Sequence, residues 1–356
     1  IMRPNARKNI IYSIVLLTSI MLVYLWRNRD QTEVTQAEAE VVAGKMTLSG
    51  KTMGTTYNIT YLDDKSRDLQ HSIDSLLVVF NQSLSTYIPD SELSQFNQGD
   101  TLDFKLPYLL PVLEASKKVY ENTNGAFDPT VGPLVNIWGF GPGGPELKDS
   151  VDIKSLLTTV GFTKIEFDQK QLRKKVAGIY LDFSAIAKGY GSDVVADFLK
   201  QKAISNYLVE IGGELVANGM NEKGELWKVG VNRPEESANA NALISIIALQ
   251  DRGMATSGNY RNYYVRDSVK ISHTINPATG YPVNHSLLSA TVVADNCMTA
   301  DAYATAMMVM GKDKAIALDS ALSEIEVFLI YDDGNGGYKT FASESLKPFL
   351  SFPQEN

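Results

Sequence analysis

The order of apolar and polar positions separates a short N-terminal segment from a long mixed body. Residues 10–26 form an uncharged, mainly apolar run, IIYSIVLLTSIMLVYLW, with basic residues on both sides. A membrane-spanning helix needs about 17–25 such residues, and no small-x-small cleavage site follows this run directly. We therefore expect residues 1–29 to be a cytoplasmic leader and membrane anchor, or an uncleaved signal, and residues 30–47 to be a polar tether. A buried core helix is the alternative interpretation.

In residues 48–356, helical and strand patterns follow one another, and we expect one compact domain. Apolar residues recur at helical spacing in some segments, while segments rich in Thr, Tyr, Val and Ile predict strands. Strands outnumber helices and arrive in runs, which favours an α+β fold. The predicted helices are 72–84, 106–120, 184–202 and 299–310, the last strongly amphipathic with Thr299 as its cap. The predicted strands are 53–62, a pair within 162–181, 207–211, 226–231, 243–249 and a hairpin across 328–341.

Composition narrows the classes of function. The chain has 356 residues, of which 44% are hydrophobic and 21% charged, with a net charge of −8. An acidic chain without dense basic clusters beyond its N-terminus lacks the charge pattern of a nucleic-acid binder. Cys297 is the single cysteine, so a disulfide within the chain and a thiolate metal cluster are excluded. With three histidines in all, any bound metal is expected to be a hard ion held by oxygens.

Glycine-rich loops are the first candidates for ligand binding. Residues 125–132 (GAFDPTVG) lead into 138–141 (WGFG), which places exposed backbone amides beside aromatic surfaces. A planar heteroaromatic ring could lie there, with its polar edge bonded to main-chain groups and to Asp128; an ordinary turn-rich connection is the alternative. Residues 139–144 also match GxGxxG, the dinucleotide-binding fingerprint, but prolines interrupt it and no helix follows promptly. We therefore reject a Rossmann fold.

Residues 182–190 (DFSAIAKGY) combine the end of a predicted strand with the start of a predicted helix. Asp182 or Ser184 is available as the N-cap. A helix N-terminus offers unpaired amides and a favourable dipole for a phosphate, Lys188 adds a positive charge, and Asp182 could bond a sugar or a base. A plain capped helix is the alternative interpretation.

Two further segments carry candidate catalytic groups. His273 stands at a predicted strand end, before the proline-containing turn of 272–280, where it suits proton transfer near neutral pH or simply fastens the turn. Asp301 and Thr305 are four residues apart on a predicted helix and project from one face. Together with a nearby backbone carbonyl they would form an oxygen site for Mg²⁺. The alternative is that Asp301 only stabilises the N-terminal end of the helix dipole, an interpretation that gives Thr305 no role.

Taken in order, these segments resemble the FAD:protein FMN transferase (ApbE) family. The resemblance covers nearly all of the chain from about Met53 to the C-terminal hairpin and implies the α+β architecture of that family, which is related to the tunnelling fold. Its specificity comes from the combination of motifs in family order. The motifs are 53–55 (MGT), 85–87 (STY) with 91–97 (SELSQFN), 125–132, 182–188, 210–213 (EIGG), 273–280 and 299–305.

The resemblance also implies which residues bind FAD and Mg²⁺. The flavin ring is expected near one set of side chains and backbone groups, and the adenosine and phosphates near another. The residues expected at FAD are Met53, Tyr87, Ala126, Phe127 and Asp128 around the flavin, Asp182 and Lys188 at the adenosine and phosphate side, and Ile275 in the pocket wall. The expected Mg²⁺ ligands are the main-chain oxygen of Ala185 and the side chains of Asp301 and Thr305.

The activity implied is transfer of the FMN moiety of FAD to a Ser or Thr hydroxyl of an exported or membrane redox protein, with release of AMP. Lys188 and the metal held by Asp301 would stabilise the departing AMP, and His273 would assist deprotonation of the acceptor. The alternatives are an FAD pyrophosphatase and a non-catalytic flavin-binding protein. The expected location is the bacterial inner membrane, with the catalytic domain on the periplasmic side.

Overall fold

An antiparallel sheet of eight strands forms the centre of the part of the chain that the structure describes. The structure is a computed structural model that describes residues 44–353 except 142–151, 235–241, 260–262 and 267–268. The predicted anchor at residues 10–26 lies outside the described residues. No described helix is both long and apolar enough to cross a membrane.

The strands alternate between buried and exposed residues wherever one face of a sheet packs against the core. In the strand from Thr55 to Leu62, for example, Tyr57, Ile59 and Tyr61 are fully buried. In chain order the strands are β1 (Lys45–Thr52), β2 (Thr55–Leu62), β3 (Thr101–Asp103), β4 (Ile165–Phe167), β5 (Gln171–Lys174), β6 (Asn206–Ile211), β7 (Glu214–Asn218), β8 (Trp227–Asn232), β9 (Leu243–Leu249), β10 (Arg252–Gly258), β11 (Tyr263–Arg266), β12 (Val269–Ser272), β13 (Leu287–Ala294), β14 (Ile325–Asp332), β15 (Tyr338–Ala342) and β16 (Leu350–Ser351).

The central sheet has the strand order β1-β2-β6-β7-β10-β13-β14-β15, and smaller sheets have the orders β16-β9-β8, β3-β5-β4 and β11-β12. Neighbouring strands in the central sheet are antiparallel throughout. The helices of the described part are α1 (Gln70–Leu84), α2 (Glu92–Gln98), α3 (Leu109–Asn122), α4 (Gly132–Ile137), α5 (Ile153–Leu157), α6 (Ala187–Gln201), α7 (Cys297–Met310) and α8 (Lys312–Ala321).

Two apolar clusters cover the two faces of the central sheet. In β13, Val292 packs into a cluster with residues of α1, α3, α6 and α7, whereas its neighbour Val293 packs into a second cluster with Trp227 and Ile247 of the β16-β9-β8 sheet. Adjacent residues of a strand point to opposite faces. The fold is therefore a helical layer, the central sheet and a small second sheet, which confirms the predicted α+β class.

Helix α7 differs from its prediction. It begins at Cys297, and its cap is Asn296, whose side chain accepts from the Thr299 amide at 2.8 Å, so Thr299 is not the cap. It is also not amphipathic, because it contacts the central sheet, α3, α6 and α8 and is buried on nearly every side. A helix in the interior needs apolar residues all round.

Helix α6 begins at Ala187, later than predicted, and Ile186 at its cap position provides no side-chain hydrogen bond. The expectation that Asp182 or Ser184 caps this helix is therefore wrong. Strand β1 begins at Lys45, within the stretch that the sequence assigned to the tether. The turn at 168–170 and the hairpin turn at 333–337 are confirmed, although β4 and β5 account for only part of the predicted strand pair.

Candidate active site

A cleft of about 900 Å³ lies where the N-termini of α6 and α7 meet the start of β7 and the end of β10. Its volume falls at the upper end of the range of about 300–1,000 Å³ that is typical of ligand pockets. The cleft is lined by ten of the residues that the sequence singled out: Ala126, Phe127, Asp128, Asp182, Ala185, Lys188, His273, Ile275, Asp301 and Thr305.

The first turns of α6 and α7 hold each other through carboxylates. The Gly189 amide of α6 donates to Asp301 Oδ2 at 3.0 Å, while the Cys297 and Met298 amides of α7 donate to the carboxylate of Asp193 at 2.8 and 2.7 Å. The two helices approach so closely that a Cβ on Gly189 would lie 2.3 Å from the Cys297 carbonyl oxygen. Only glycine fits at this position, because a side chain would clash with the first turn of α7. The hydrogen bonds to Asp301 and Asp193 therefore fix the start of each helix against the other helix.

The backbone carbonyl of Ala185, just before α6, lacks the donor that a longer helix would give it. A continuous helix would bond the Gly189 amide to the carbonyl four residues earlier, that of Ala185. Because α6 begins only at Ala187, the Gly189 amide has no partner within the helix and donates to Asp301, and the Ala185 carbonyl accepts no backbone hydrogen bond within the described residues. Ala185 lines the cleft, so its carbonyl is a candidate ligand group.

Lys188 lies among acidic groups in the cleft. Its Nζ is 3.4 Å from Glu214 Oε1, and the side chains are 28% and 7% exposed. Glu214 reaches this position because a turn of two glycines with positive φ, Gly212 and Gly213, connects β6 to β7. Burial raises the pKa of Glu214 and of Asp301, whereas the two carboxylates outweigh burial and raise the pKa of Lys188.

The donor groups at this place fit Mg²⁺. Asp301 Oδ1 accepts no hydrogen bond within the described residues, and Thr305 Oγ1 is 3.1 Å from Ser257 Oγ. Glu214 Oε2 is buried without a hydrogen-bond partner. No three His, Cys, Asp or Glu residues of the described part form a metal cluster. A carboxylate, a hydroxyl and a carbonyl, completed by waters and phosphate oxygens, suit a hard ion such as Mg²⁺.

The glycine-rich loop forms the wall beside this cluster. The Ala126 amide donates to the Thr123 carbonyl and the Phe127 amide to the Thr123 hydroxyl, which holds both residues in place where they line the cleft. Asp128 is 6% exposed, and its Oδ1 accepts from the Thr130 amide and hydroxyl at 2.8 and 2.6 Å. Burial nevertheless raises the pKa of Asp128. Its carboxylate therefore fixes the loop through hydrogen bonds from Thr130, with a further contribution from the Phe162 backbone.

Asp182 joins this loop to the start of α6. Its amide donates to the Pro129 carbonyl at 2.8 Å, and its carboxylate accepts from the Ser184 amide and hydroxyl. His273 follows β12, as predicted, and its ring lies edge-on to Phe140 with centroids 6.2 Å apart. Ile275 is buried with Leu134 in a small apolar cluster that anchors the His273 loop.

Met53 and Tyr87 do not line the cleft. Met53 lies in the turn between β1 and β2, and its Cε would be 2.5 Å from a Cβ at Gly191, one turn along α6 from Lys188. Tyr87 is 67% exposed, and its pKa is raised by partial burial and by the Asp182 carboxylate. Both residues therefore lie beside the cleft, and their contact with a flavin stays a prediction.

Three residues of this site were not predicted: Asp193, Glu214 and Ser257. Glu214 follows the noted glycine pair directly, so its position was a usable signal. Asp193 and Ser257 gave no such signal, because their hydrogen-bond partners, Cys297 and Thr305, lie 104 and 48 positions away in the chain.

Fold and site together define a class of protein: an α+β domain with a cleft lined by a lysine, buried carboxylates and a threonine hydroxyl. The model of the ApbE family matches residues 53–329. The chain belongs to this family.

Individual relatives agree with that assignment. The FAD:protein FMN transferase of Vibrio cholerae serotype O1 is 42% identical over 329 residues, which are 88% of this chain and 96% of that protein. The Escherichia coli K12 protein of the same name is 37% identical over 85% of this chain and 88% of its own length. The solved flavin transferase ApbE from Vibrio cholerae has a TM-score of 0.76 at 41% identity, covering 86% of this chain and 99% of that one. For the apo flavinyl transferase ApbE of Pseudomonas stutzeri the TM-score is 0.76 at 33% identity, with 86% and 96% covered.

Proposed function

We propose that this protein transfers the FMN moiety of FAD to a Ser or Thr hydroxyl of an acceptor protein and releases AMP, in a reaction that requires Mg²⁺. The observation that carries the proposal is the set of oxygens without partners among the described residues of the cleft: Asp301 Oδ1, Glu214 Oε2 and the Ala185 carbonyl. With Lys188 and Thr305 lining the same cleft, these oxygens suit a hard cation together with a phosphate group. The names of the relatives support the same activity.

The residues of the cleft have different roles in the proposed reaction. The acceptor hydroxyl oxygen forms a bond to the phosphorus of the FMN half, and the bond from that phosphorus to the bridging oxygen breaks, so that AMP leaves. His273 takes the hydroxyl proton. Lys188 stabilises the negative charge on the departing phosphate. When bound by Ala185, Asp301 and Thr305, Mg²⁺ supplies Lewis-acid polarisation of the phosphoryl oxygens.

The decisive measurement mixes the purified protein with FAD and Mg²⁺, in the presence and absence of a co-expressed exported redox protein. We expect AMP release and an FMN-sized mass gain on that protein, both abolished by a chelator. AMP with free FMN and no mass gain for any acceptor would identify a pyrophosphatase instead. FAD that binds but is never cleaved in the presence of Mg²⁺ would leave a flavin-binding protein and refute the proposal.

The role of His273 has its own test. His273→Ala should slow transfer at neutral pH by about 10²-fold or more while FAD affinity stays unchanged. Full transfer by this variant would refute the assignment of His273 as the base.

We also propose that the catalytic domain is held at the periplasmic side of a bacterial inner membrane by residues 10–26, and that its acceptor is an exported or membrane redox protein. The support is the apolar run with its basic leader. Protease added to intact spheroplasts should digest the domain. Protection of the domain until the inner membrane is lysed would place it in the cytoplasm.

A further inference from the structure

One wall of the cleft is formed by strand β8. Four consecutive residues of β8 line it: Val229, Gly230, Val231 and Asn232. Side chains of a strand alternate between the two faces, so a wall formed by one face would contribute every second residue. Consecutive lining residues therefore indicate that the backbone edge of β8, with its N–H and C=O groups, borders the cleft.

This edge has no neighbouring strand within the described residues. β8 ends the sheet β16-β9-β8 and pairs there with β9 alone. Edge strands are commonly blocked by charged side chains or proline, and the four lining residues include neither. Gly230 is exposed, and a Cβ on it would lie 2.6 Å from Leu243 Cδ2, so the position favours a residue without a side chain.

The end of β10 presents a second edge to the same cleft. β7 pairs with β10 only from Arg252 to Met254, because β7 begins at Glu214. The consecutive residues Thr256, Ser257 and Gly258 extend beyond this pairing and line the cleft. Ser257 contacts Thr305, so this edge belongs to the proposed metal site, whereas the β8 edge contacts none of the proposed metal ligands by hydrogen bond within the described part.

We propose that the acceptor protein binds through an extended segment that pairs its backbone with the edge of β8 and so brings its Ser or Thr hydroxyl into the cleft with His273. The inference rests on the proposed function, which requires a polypeptide hydroxyl to enter a cleft of about 900 Å³. A single extended strand is the narrowest form of polypeptide, and strand addition provides affinity through main-chain hydrogen bonds. The four lining residues carry no charge, while Lys228 and Arg233 flank them, so the acceptor residues opposite Gly230 are expected to be uncharged.

The first test replaces the backbone N–H groups of the acceptor one at a time. The probe is a synthetic peptide of about ten residues around the hydroxyl that gains FMN in the co-expressed redox protein, a length within the range of natural strands. N-methylation should lower kcat/KM by about tenfold or more at alternate residues and by less than about twofold at those between. A profile without this two-residue period, or losses only next to the hydroxyl, would overturn the proposal.

The second test changes the enzyme. N–H groups along a strand point alternately to either side, so one of Val229→Pro and Gly230→Pro removes a donor to β9 and the other removes a donor to the cleft. We expect one variant to lose thermal stability and the other to keep its melting temperature while its KM for the peptide rises about tenfold. If the stable variant raises the KM for FAD and not that for the peptide, the edge binds the flavin substrate and the proposal is wrong. If both variants unfold, the N-methyl profile decides alone.

The two proposals fail in different ways. FMN transfer to the peptide with a flat N-methyl profile refutes strand pairing and leaves the transferase intact. Absence of FMN transfer to any co-expressed acceptor, with FAD and Mg²⁺ present, refutes the transferase and removes the basis of strand pairing with it.

Discussion

The two ends of helix α6 each carry a carboxylate next to a basic side chain, but the two pairs are built differently. At the C-terminal end, Arg67 binds Asp63 and also donates to the Lys202 carbonyl at 2.9 Å. At the N-terminal end, Lys188 lies beside Glu214 and close to Asp301. The Asp63–Arg67 pair leaves no buried side-chain atom without a hydrogen-bond partner, whereas the Lys188–Glu214 pair leaves Glu214 Oε2 without one.

Asp63 is fully used within the protein. Its two oxygens accept from the Arg67 Nε and Nη2 groups at 2.7 and 3.0 Å and from the Arg67 and Lys65 amides. Hydrogen bonds from Arg67 lower the pKa of Asp63 to about 2. The guanidinium group also lies at the negative end of the α6 dipole. This arrangement stabilises the fold and has no capacity left for a ligand.

Glu214 and Asp301 show the opposite. Glu214 Oε2 is buried without a partner, Lys188 is at 3.4 Å from the other oxygen, and burial raises the pKa of both carboxylates. A buried polar atom that lacks a partner costs stability. Unsatisfied groups that line one cleft are typical of ligand sites, and the proposed function therefore places its substrate at this end of α6.

The largest effect is expected at Asp301. Asp301→Asn keeps an acceptor for the Gly189 amide but removes the negative charge, so the fold should survive while transfer falls by about 10²- to 10³-fold. The measurements are AMP release at several Mg²⁺ concentrations and Mg²⁺ binding by calorimetry. An unchanged Mg²⁺ affinity with normal transfer would contradict the role of Asp301 as a ligand.

A smaller effect is expected at Asp193, which holds the start of α7 through two amides. Asp193→Asn loses the charge and one acceptor, and a buried charged hydrogen bond contributes about 1.5–3 kcal/mol. We expect a lower melting temperature together with weaker Mg²⁺ binding, because Asp301 is carried by the same helix. A loss of stability without any change in Mg²⁺ affinity would show that Asp193 is purely structural.

Glu214→Gln should act on the metal more than on the fold. Without its partner, Lys188 can turn towards Asp301 and compete with the cation, so the Mg²⁺ concentration for half-maximal rate should rise about tenfold. The melting temperature should change little, since the Asp301 carboxylate remains to balance the charge of Lys188. The matched control is Glu225→Gln, which breaks a surface lysine pair and should change neither quantity.

The smallest effect on activity is expected at the other end of α6. Asp63→Asn should leave transfer unchanged and lower the free energy of unfolding by about 1–2 kcal/mol, less than the full pKa shift implies because Arg67 is partly in solvent. The folded pKa lies below the ordinary aspartate value of 3.8, so this stability is present above about pH 4 and lost as pH falls through about 2. Acid denaturation of the variant should be flatter in that window; an identical profile would contradict the pKa shift.

Much of the site could be predicted from the sequence because its motifs are local. Each motif can be recognised from a few neighbouring residues. This holds for the glycine-rich loop at 125–132, the segment at 182–188 and the pair Asp301 and Thr305. The α+β class followed from the runs of strands, and the 333–337 turn from its glycines. These features rest on short-range steric and hydrogen-bonding preferences, which the sequence carries directly.

Other features depended on contacts between distant segments. The pattern of α7 predicted an amphipathic helix, but the helix is enclosed by the sheet and other helices, and packing on all sides decides its burial. The sequence could not show that Asp193 and Asp301 each accept amide hydrogen bonds from the opposite helix, whereas the Asn296 cap is a local signal that the prediction missed. The hydrogen bonds between the two helices need the tertiary approach that Gly189 permits.

By itself, then, the sequence determined the class of fold, the order of the motifs and the types of group that line the cleft. Only the tertiary structure decided which carboxylates are satisfied and which are left for a ligand. Asp63 and Glu214 are both acidic residues at the border of a strand, and nothing local distinguishes them. Their difference arises from what folding places around each: a complete set of donors for Asp63, and for Glu214 a single lysine and an unpaired oxygen.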